Sequence, residues 1–215
     1  MTRIKICGIT RVADALAAAQ GGADAIGLVF YERSPRHVSI AQAAQLLAAL
    51  PPFVTSVGLF VNAEAALVRG VLAAVPLDLL QFHGDESPEY CAQFGKPYLK
   101  AIRVKAGVDL LQCAADFRGA KALLLDAHVE GIPGGTGATF DWGLVPPHLP
   151  LPVILSGGLD TENVAAAIGQ VRPYAVDVSS GVEAGEGTNT LKGIKDAAKV
   201  AAFINEVKQI DLQLS

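Results

Sequence analysis

Aromatic residues are scarce in this chain: 6% of 215 positions, with a single Trp and a single Met. Its core must therefore be built from Ala, Val, Leu and Ile rather than from large rings. Charge is sparse as well, at 18%, and Lys+Arg 17 against Asp+Glu 21 leaves a formal net charge of -4. That balance excludes a general nucleic-acid binder, which needs a basic surface. Cysteine is confined to Cys7, Cys91 and Cys113. An odd, scattered set makes no disulfide framework and no metal-ligand spacing, and it suits a reducing cytosol. Apolar runs are too short to cross a bilayer and are broken by Gly, Asp or Pro. Met1 to Cys7 enters a strand pattern at once, without a signal-peptide core. The expectation is a cytoplasmic protein with no membrane and no nucleic-acid partner. What is plentiful is apolar residues, 51% of the chain, enough to bury a large core, so disorder is excluded.

Two kinds of segment alternate along the chain. Short runs rich in Leu and β-branched residues fall at Ile4–Cys7, Ala25–Phe30, Ser56–Val61, Leu79–His83, Tyr98–Arg103, Ala122–Asp126, Val153–Ser156 and Ala175–Ser179. Most are apolar on both faces, the signature of parallel strands buried on each side. Helix-like stretches separate them. Thr10 is placed to cap Val12–Gln20, and Ser39 to cap Ile40–Leu50 before Pro51-Pro52. Others span about Glu64–Val75, Pro88–Phe94, Val108–Phe117, Glu162–Gln170 (started by Asp160 or Thr161) and Gly193–Lys208. Asp141–His148 is the weakest, fit for a short or irregular helix. Eight βα repeats predict an α/β protein, a compact (β/α)8 TIM barrel of parallel strands filling residues 1–215 as one domain. An open doubly wound sheet would put a G-x-G-x-x-G turn after the first strand; Cys7-Gly8-Ile9-Thr10-Arg11 stands there instead.

A barrel places its chemistry at the C-terminal ends of its strands. Those ends carry Cys7, His83, Arg103, Asp126, Ser156-Gly157-Gly158 and Asp177-Val178-Ser179-Ser180-Gly181, with Arg36 in the loop after the second strand. The glycine and serine runs on the last two strands favour a phosphate held by backbone N–H groups, although tight βα turns use glycine too. Asp126 ends a buried strand, where burial disfavours a charged carboxylate; that suits a general acid, and equally an N-cap or a loop-fixing hydrogen bond. Cys7 is either an inert buried thiol or, beside a cation, a reactive thiolate. Cys91 and Cys113 fall in helical patterns and read as packing. Arg36 is fit to grip a carboxylate through two parallel hydrogen bonds, or is a solvated loop charge. His83 either positions substrate or is satisfied by backbone carbonyls. Gly134-Gly135-Thr136-Gly137 reads as a phosphate-contacting or closing loop, with a plain linker as the alternative.

The motifs Lys5-Ile6-Cys7-Gly8-Ile9-Thr10, Gly22-Ala23-Asp24-Ala25-Ile26-Gly27, Ser34-Pro35-Arg36, Gln81-Phe82-His83-Gly84 and Leu125-Asp126 occur in one order with several later ones. The later ones are Gly134-Gly135-Thr136-Gly137 with Phe140-Asp141-Trp142, Ser156-Gly157-Gly158-Leu159, Asp177 to Glu183, and Lys195-Asp196. Together they cover nearly the whole chain, which resembles the phosphoribosylanthranilate isomerase family of tryptophan biosynthesis. Phe82 replaces a common Leu, and Glu186 to Leu191 departs from the family pattern, leaving the loop after strand eight open. The resemblance implies an Amadori rearrangement of N-(5'-phosphoribosyl)anthranilate with no metal and no cofactor. It makes Asp126 the general acid and Cys7 the general base. It also implies that Arg36, His83 and Asp177 contact the substrate, and that Gly157, Gly158, Ser180 and Gly181 hold its phosphate. The partner is thus a small phosphosugar-anthranilate molecule, and the chain is a monomer or a homodimer. A histidine-pathway isomerase would want aspartate where Cys7 stands, and an epimerase would want metal ligands. A binding protein without turnover would not need Cys7, Asp126 and Arg36 together.

Overall fold

A computed structural model of the chain describes residues 1–127, 139–185 and 190–214. The glycine-rich stretch from 134 to 137 and residues 186–189 lie outside the described residues. Eight strands are β1 (Arg3–Cys7), β2 (Ala25–Val29), β3 (Thr55–Phe60), β4 (Leu79–Phe82), β5 (Tyr98–Val104), β6 (Ala122–Ala127), β7 (Val153–Leu155) and β8 (Ala175–Val178). Each pairs in parallel with the next, and β8 returns to β1 to close a barrel. Closure removes both sheet edges, so every strand is buried on its two faces, which is why their sequences are apolar throughout.

Successive side chains point to opposite faces of a strand. Ile4, Ile6, Ile26, Leu28, Leu80, Phe82, Val176 and Val178 turn outward into the layer shared with the helices. Val57, Leu99, Ala101, Ala122, Leu124, Ile154 and Ala175 turn inward and fill the barrel. The outer layer is formed by α1 (Val12–Gly21), α2 (Ile40–Ala48), α3 (Ala65–Ala74), α4 (Pro88–Ala92), α5 (Leu110–Asp116), α6 (Val164–Val171) and α7 (Ala197–Leu214). None of the described helices is long and apolar enough to cross a membrane. Ser39 caps α2 in a reciprocal capping box with Gln42, as its sequence predicts.

Two local expectations change. Thr10 does not cap α1: Arg11 holds that position without a side-chain hydrogen bond, and the Thr10 hydroxyl donates to Gly193 O instead. The predicted helix from Gly193 begins only at Ala197. Leu191–Lys195 forms a strand, β10, antiparallel to a short β9 (Glu183–Ala184). Asp196 then accepts from the Ala198 and Lys199 N–H groups and starts α7. Between β6 and β7 the described chain contains only one 3-10 turn, Trp142–Leu144, in keeping with its Gly- and Pro-rich sequence.

Candidate active site

Toward the C-terminal end of the barrel the inward faces of β1, β4, β6 and β8 carry polar or thiol groups, while β2 and β3 contribute Val29 and Leu59. On β1 the inward pair is Lys5 and Cys7; on β4 it is Gln81, with His83 next on the same face. Asp126 follows Ala122 and Leu124 on β6, and Asp177 follows Ala175 on β8. Cys7, Gln81, His83, Asp126 and Asp177 meet in one cavity at this end of the barrel, and Lys5 lies beneath it against Asp177. Cys7, Arg36, His83, Asp126, Gly157, Gly158, Asp177 and Ser180 all line it, together with Gln81, Ser156 and Ser179. Gly181 does not. A Cβ there would lie 2.1 Å from Leu159 O, so this glycine lets the two late loops pack against each other.

Burial is the largest influence on Cys7 and pushes its thiol above the ordinary range; Lys5 and Lys195 pull it down, and Asp177 pushes it up. Lys5 itself is a buried lysine inside a strand, and desolvation works against its charge. It is nevertheless held above its usual value, chiefly by Asp177, whose Oδ1 lies 2.9 Å from Lys5 Nζ. Asp177 thus has one oxygen committed to Lys5 while lining the cavity.

Asp126 is nearly fully buried. Its Oδ2 lies 2.9 Å from His83 Nε2, and Gln81 Nε2 lies 2.8 Å from His83 Nδ1. Both ring nitrogens of His83 are therefore engaged by side chains, Asp126 and Gln81, rather than by backbone carbonyls. Arg103 braces the same strand end by donating to His83 O at 3.2 Å. The Asp126 Oδ1 accepts from Ala127 N.

Arg36 is buried against Glu183, which takes its Nε and Nη2 at 2.7 and 2.8 Å. One edge of the guanidinium is thereby fixed and its other edge remains for a planar anion. Glu183 also accepts from Gly193 N at 2.8 Å and from Lys195 Nζ at 3.3 Å. Burial opposes its charge, but the Arg36 hydrogen bonds, with Lys195 nearby, hold the carboxyl below the usual range. Lys195 is pushed below its usual range, first by burial. Two cations to one carboxylate leave this rim of the cavity electropositive.

Gly157 has φ +85, and a Cβ there would lie 2.4 Å from Ala127 N and 2.9 Å from Asp126 Oδ1. Only glycine lets the loop after β7 close this tightly over the acid. Ser180 begins a 3-10 turn, Ser180–Val182, and the first N–H groups of such a turn have no partner within it. Ser180 and Gly157 both lie at this edge of the cavity.

Lys5, Gln81, Glu183 and Lys195 are part of this site without having been singled out from sequence. Two of them carry a readable signal. Lys5 and Gln81 stand two residues before Cys7 and His83, hence on the same strand face, and a lysine in a doubly buried strand is anomalous.

The sequence of residues 4–206 matches the family model of N-(5'-phosphoribosyl)anthranilate (PRA) isomerase. The N-(5'-phosphoribosyl)anthranilate isomerase of Thiobacillus denitrificans is 64% identical over 206 residues, covering 96% of this chain and 98% of its own. A phosphoribosyl anthranilate isomerase solved with reduced 1-(o-carboxyphenylamino)-1-deoxyribulose 5-phosphate superposes with TM-score 0.83 at 40% identity, covering 97% of this chain and 100% of its own. Monomers generated from the dimeric enzyme of Thermotoga maritima superpose with TM-score 0.82 at 38% identity, over 97% and 99%. The chain, a closed parallel barrel with these residues at its mouth, belongs to the N-(5'-phosphoribosyl)anthranilate isomerase family.

Proposed function

We propose that residues 1–215 act as one barrel domain that converts N-(5'-phosphoribosyl)anthranilate to 1-(2-carboxyphenylamino)-1-deoxyribulose 5-phosphate by general acid–base catalysis in tryptophan biosynthesis. Asp126 protonates the furanose ring oxygen, and the ring opens to an iminium. The iminium acidifies the neighbouring C–H, and Cys7 removes the C2' proton to give an enolamine that tautomerises to the ketone. The observation that carries this reading is the convergence of Cys7 and Asp126, from non-adjacent strands, on one cavity. A ribose between them meets a base from one side and an acid from another. The phosphate is assigned to Gly157, Gly158 and Ser180, and binding energy at that remote group orients the reacting carbons. His83 and Asp177, both lining the cavity, are assigned as substrate contacts. The unpaired cysteines fit a reducing compartment, and the reading includes a cytoplasmic location. The test is turnover of the substrate with the purified chain, followed by loss of anthranilate-derived fluorescence and identification of the ketose product.

Arg36 is assigned the anthranilate carboxylate. Arg36→Lys keeps a cation beside Glu183 but loses the planar fork. Hydrogen bonds between ions are worth about 1.5–3 kcal/mol each, so KM should rise roughly 10- to 100-fold. An N-phosphoribosyl aniline lacking the carboxylate should be bound equally by both proteins. An equal loss for the two compounds would remove Arg36 from carboxylate recognition.

For assembly, the reading is a homodimer formed through the N-terminal face of the barrel. A cavity of about 600 Å³ opens there over Val57, Leu79, Leu99 and Ile154, with Phe53 at its edge. Phe53 is fully exposed and held at φ 71, a conformation that a bulky side chain adopts only under constraint. A twofold interface would bury it twice, at about 2 kcal/mol each. Phe53→Asp should therefore weaken dimerisation on the order of a thousandfold, read as a shift from two-chain to one-chain mass in light scattering. A wild-type chain of one-chain mass at micromolar concentration would contradict the dimer.

A further inference from the structure

We propose that Gln81 is a positioning residue that couples the orientation of its amide to the number of protons held by His83 and Asp126. This inference rests on the reading of Asp126 as the general acid. Gln81 is completely buried, and its side chain bonds only at one end. Its Nε2 lies 2.8 Å from His83 Nδ1, while its Oε1 is buried without a partner among the described residues. In this orientation the amide N–H donates, so Nδ1 must be the acceptor. His83 then carries its proton on Nε2 and donates it to Asp126 Oδ2; Oδ1 accepts from Ala127 N, so both oxygens act as acceptors and the group is held as a carboxylate. The pair holds one proton and has none to give to a sugar.

A half-turn of the amide about its last bond places Oε1 on Nδ1. The carbonyl accepts, so Nδ1 now carries a proton. A second proton occupies the hydrogen bond between Nε2 and Oδ2, shared by the imidazole and the carboxyl group. The pair holds two protons and is loaded. One passes from Asp126 to the furanose ring oxygen, breaking the C–O bond of the ring. The pair regains one from water once product has left. In either orientation the amide leaves one end without a partner, so the surrounding core favours neither strongly and the proton on Nδ1 decides. No other neutral side chain of this shape offers a donor and an acceptor to the same atom.

The test is the pH dependence of kcat in two variants. Gln81→Met removes the acceptor that the loaded pair needs. The alkaline limb of kcat should move to lower pH, and kcat near neutrality should fall roughly 10- to 100-fold with KM changed less than about threefold. Gln81→Glu supplies a stronger acceptor for the Nδ1 proton, and the same limb should move to higher pH. Among the described residues the other charged groups at this end of the barrel are Lys5, Arg36, Asp85, Glu86, Lys100, Arg103, Asp177, Glu183 and Lys195, with Cys7; all are identical in both variants. Opposite displacements therefore report Gln81 itself. A merely structural role would move both limbs together or neither. The wild-type protein gives a second readout that needs no variant. Nitrogen-15 spectra of His83 should show Nδ1 unprotonated at high pH and protonated across the range in which kcat recovers. Unchanged limbs, limbs that move together, or an Nδ1 that stays unprotonated would overturn the inference while an inactive Asp126→Asn keeps the acid reading intact. A fully active Asp126→Asn would sink both.

Discussion

Asp126→Asn should lower kcat by about 10²–10⁴-fold, the contribution of a positioned general acid, while the barrel stays folded. The amide has the shape of the carboxyl group: its oxygen can accept from Ala127 N in place of Oδ1, and its NH2 group, in place of Oδ2, can donate to His83 Nε2 once the ring carries its proton on Nδ1. The cost to stability should be within about 1 kcal/mol, since a neutral hydrogen bond replaces a charge-assisted one. Circular dichroism and thermal melting establish the fold, and titration with a ribose 5-phosphate analogue establishes the phosphate site. Loss of kcat with both retained places Asp126 in the chemical step. Loss of the fold or of phosphate binding would make it a structural carboxylate that fixes the end of β6.

Cys7→Ser should cost a similar factor for the opposite reason. An alcohol is a far weaker base than a thiolate, and no other group on β1 reaches the cavity at that level. The pH dependence carries a sign that can be worked out. Burial pushes the Cys7 thiol above its ordinary range, and Lys5 and Lys195 recover only part of that shift. Near neutrality most molecules hold the thiol. The thiolate fraction therefore grows as pH rises, by at most about tenfold per unit, and kcat/KM of the wild type should climb from about pH 7 until loss of the Asp126 proton turns it down. Cys7→Ser should lack that climb. A wild-type kcat/KM that shows no climb, or a serine variant that climbs in parallel, would remove Cys7 from proton abstraction.

The barrel was legible because closure buries both faces of every strand, and eight doubly apolar runs separated by amphipathic stretches have few other uses. That Cys7 and Asp126 would face one cavity was legible because a barrel gathers its strand ends there, and a thiol or carboxylate that ends an apolar run is conspicuous. What sequence did not disclose is set by partners distant along the chain. Thr10 has the chemistry of an N-cap, yet its hydroxyl goes to Gly193 O on β10. Arg36 reads as a free cation, yet Glu183, 147 residues away, holds one edge of it. The β10 strand has no strong pattern of its own and exists because Glu183–Ala184 offers it an edge. His83 reads as a substrate contact or as a ring satisfied by backbone carbonyls, yet its nitrogens go to the Gln81 and Asp126 side chains. Local propensity cannot anticipate such contacts; only the rule that buried polar groups find partners predicts that they exist.

The account stands on an acid from β6 and a base from β1 acting on one sugar. Its most direct test mixes N-(5'-phosphoribosyl)anthranilate with the purified wild-type chain, Asp126→Asn and Cys7→Ser, side by side, and follows the anthranilate-derived fluorescence. The predicted result is decay in proportion to wild-type enzyme, with the 1-deoxyribulose 5-phosphate ketose as product, and decay at least about a hundredfold slower with either folded variant. Unchanged fluorescence with the wild type, or either folded variant matching its rate, would contradict it.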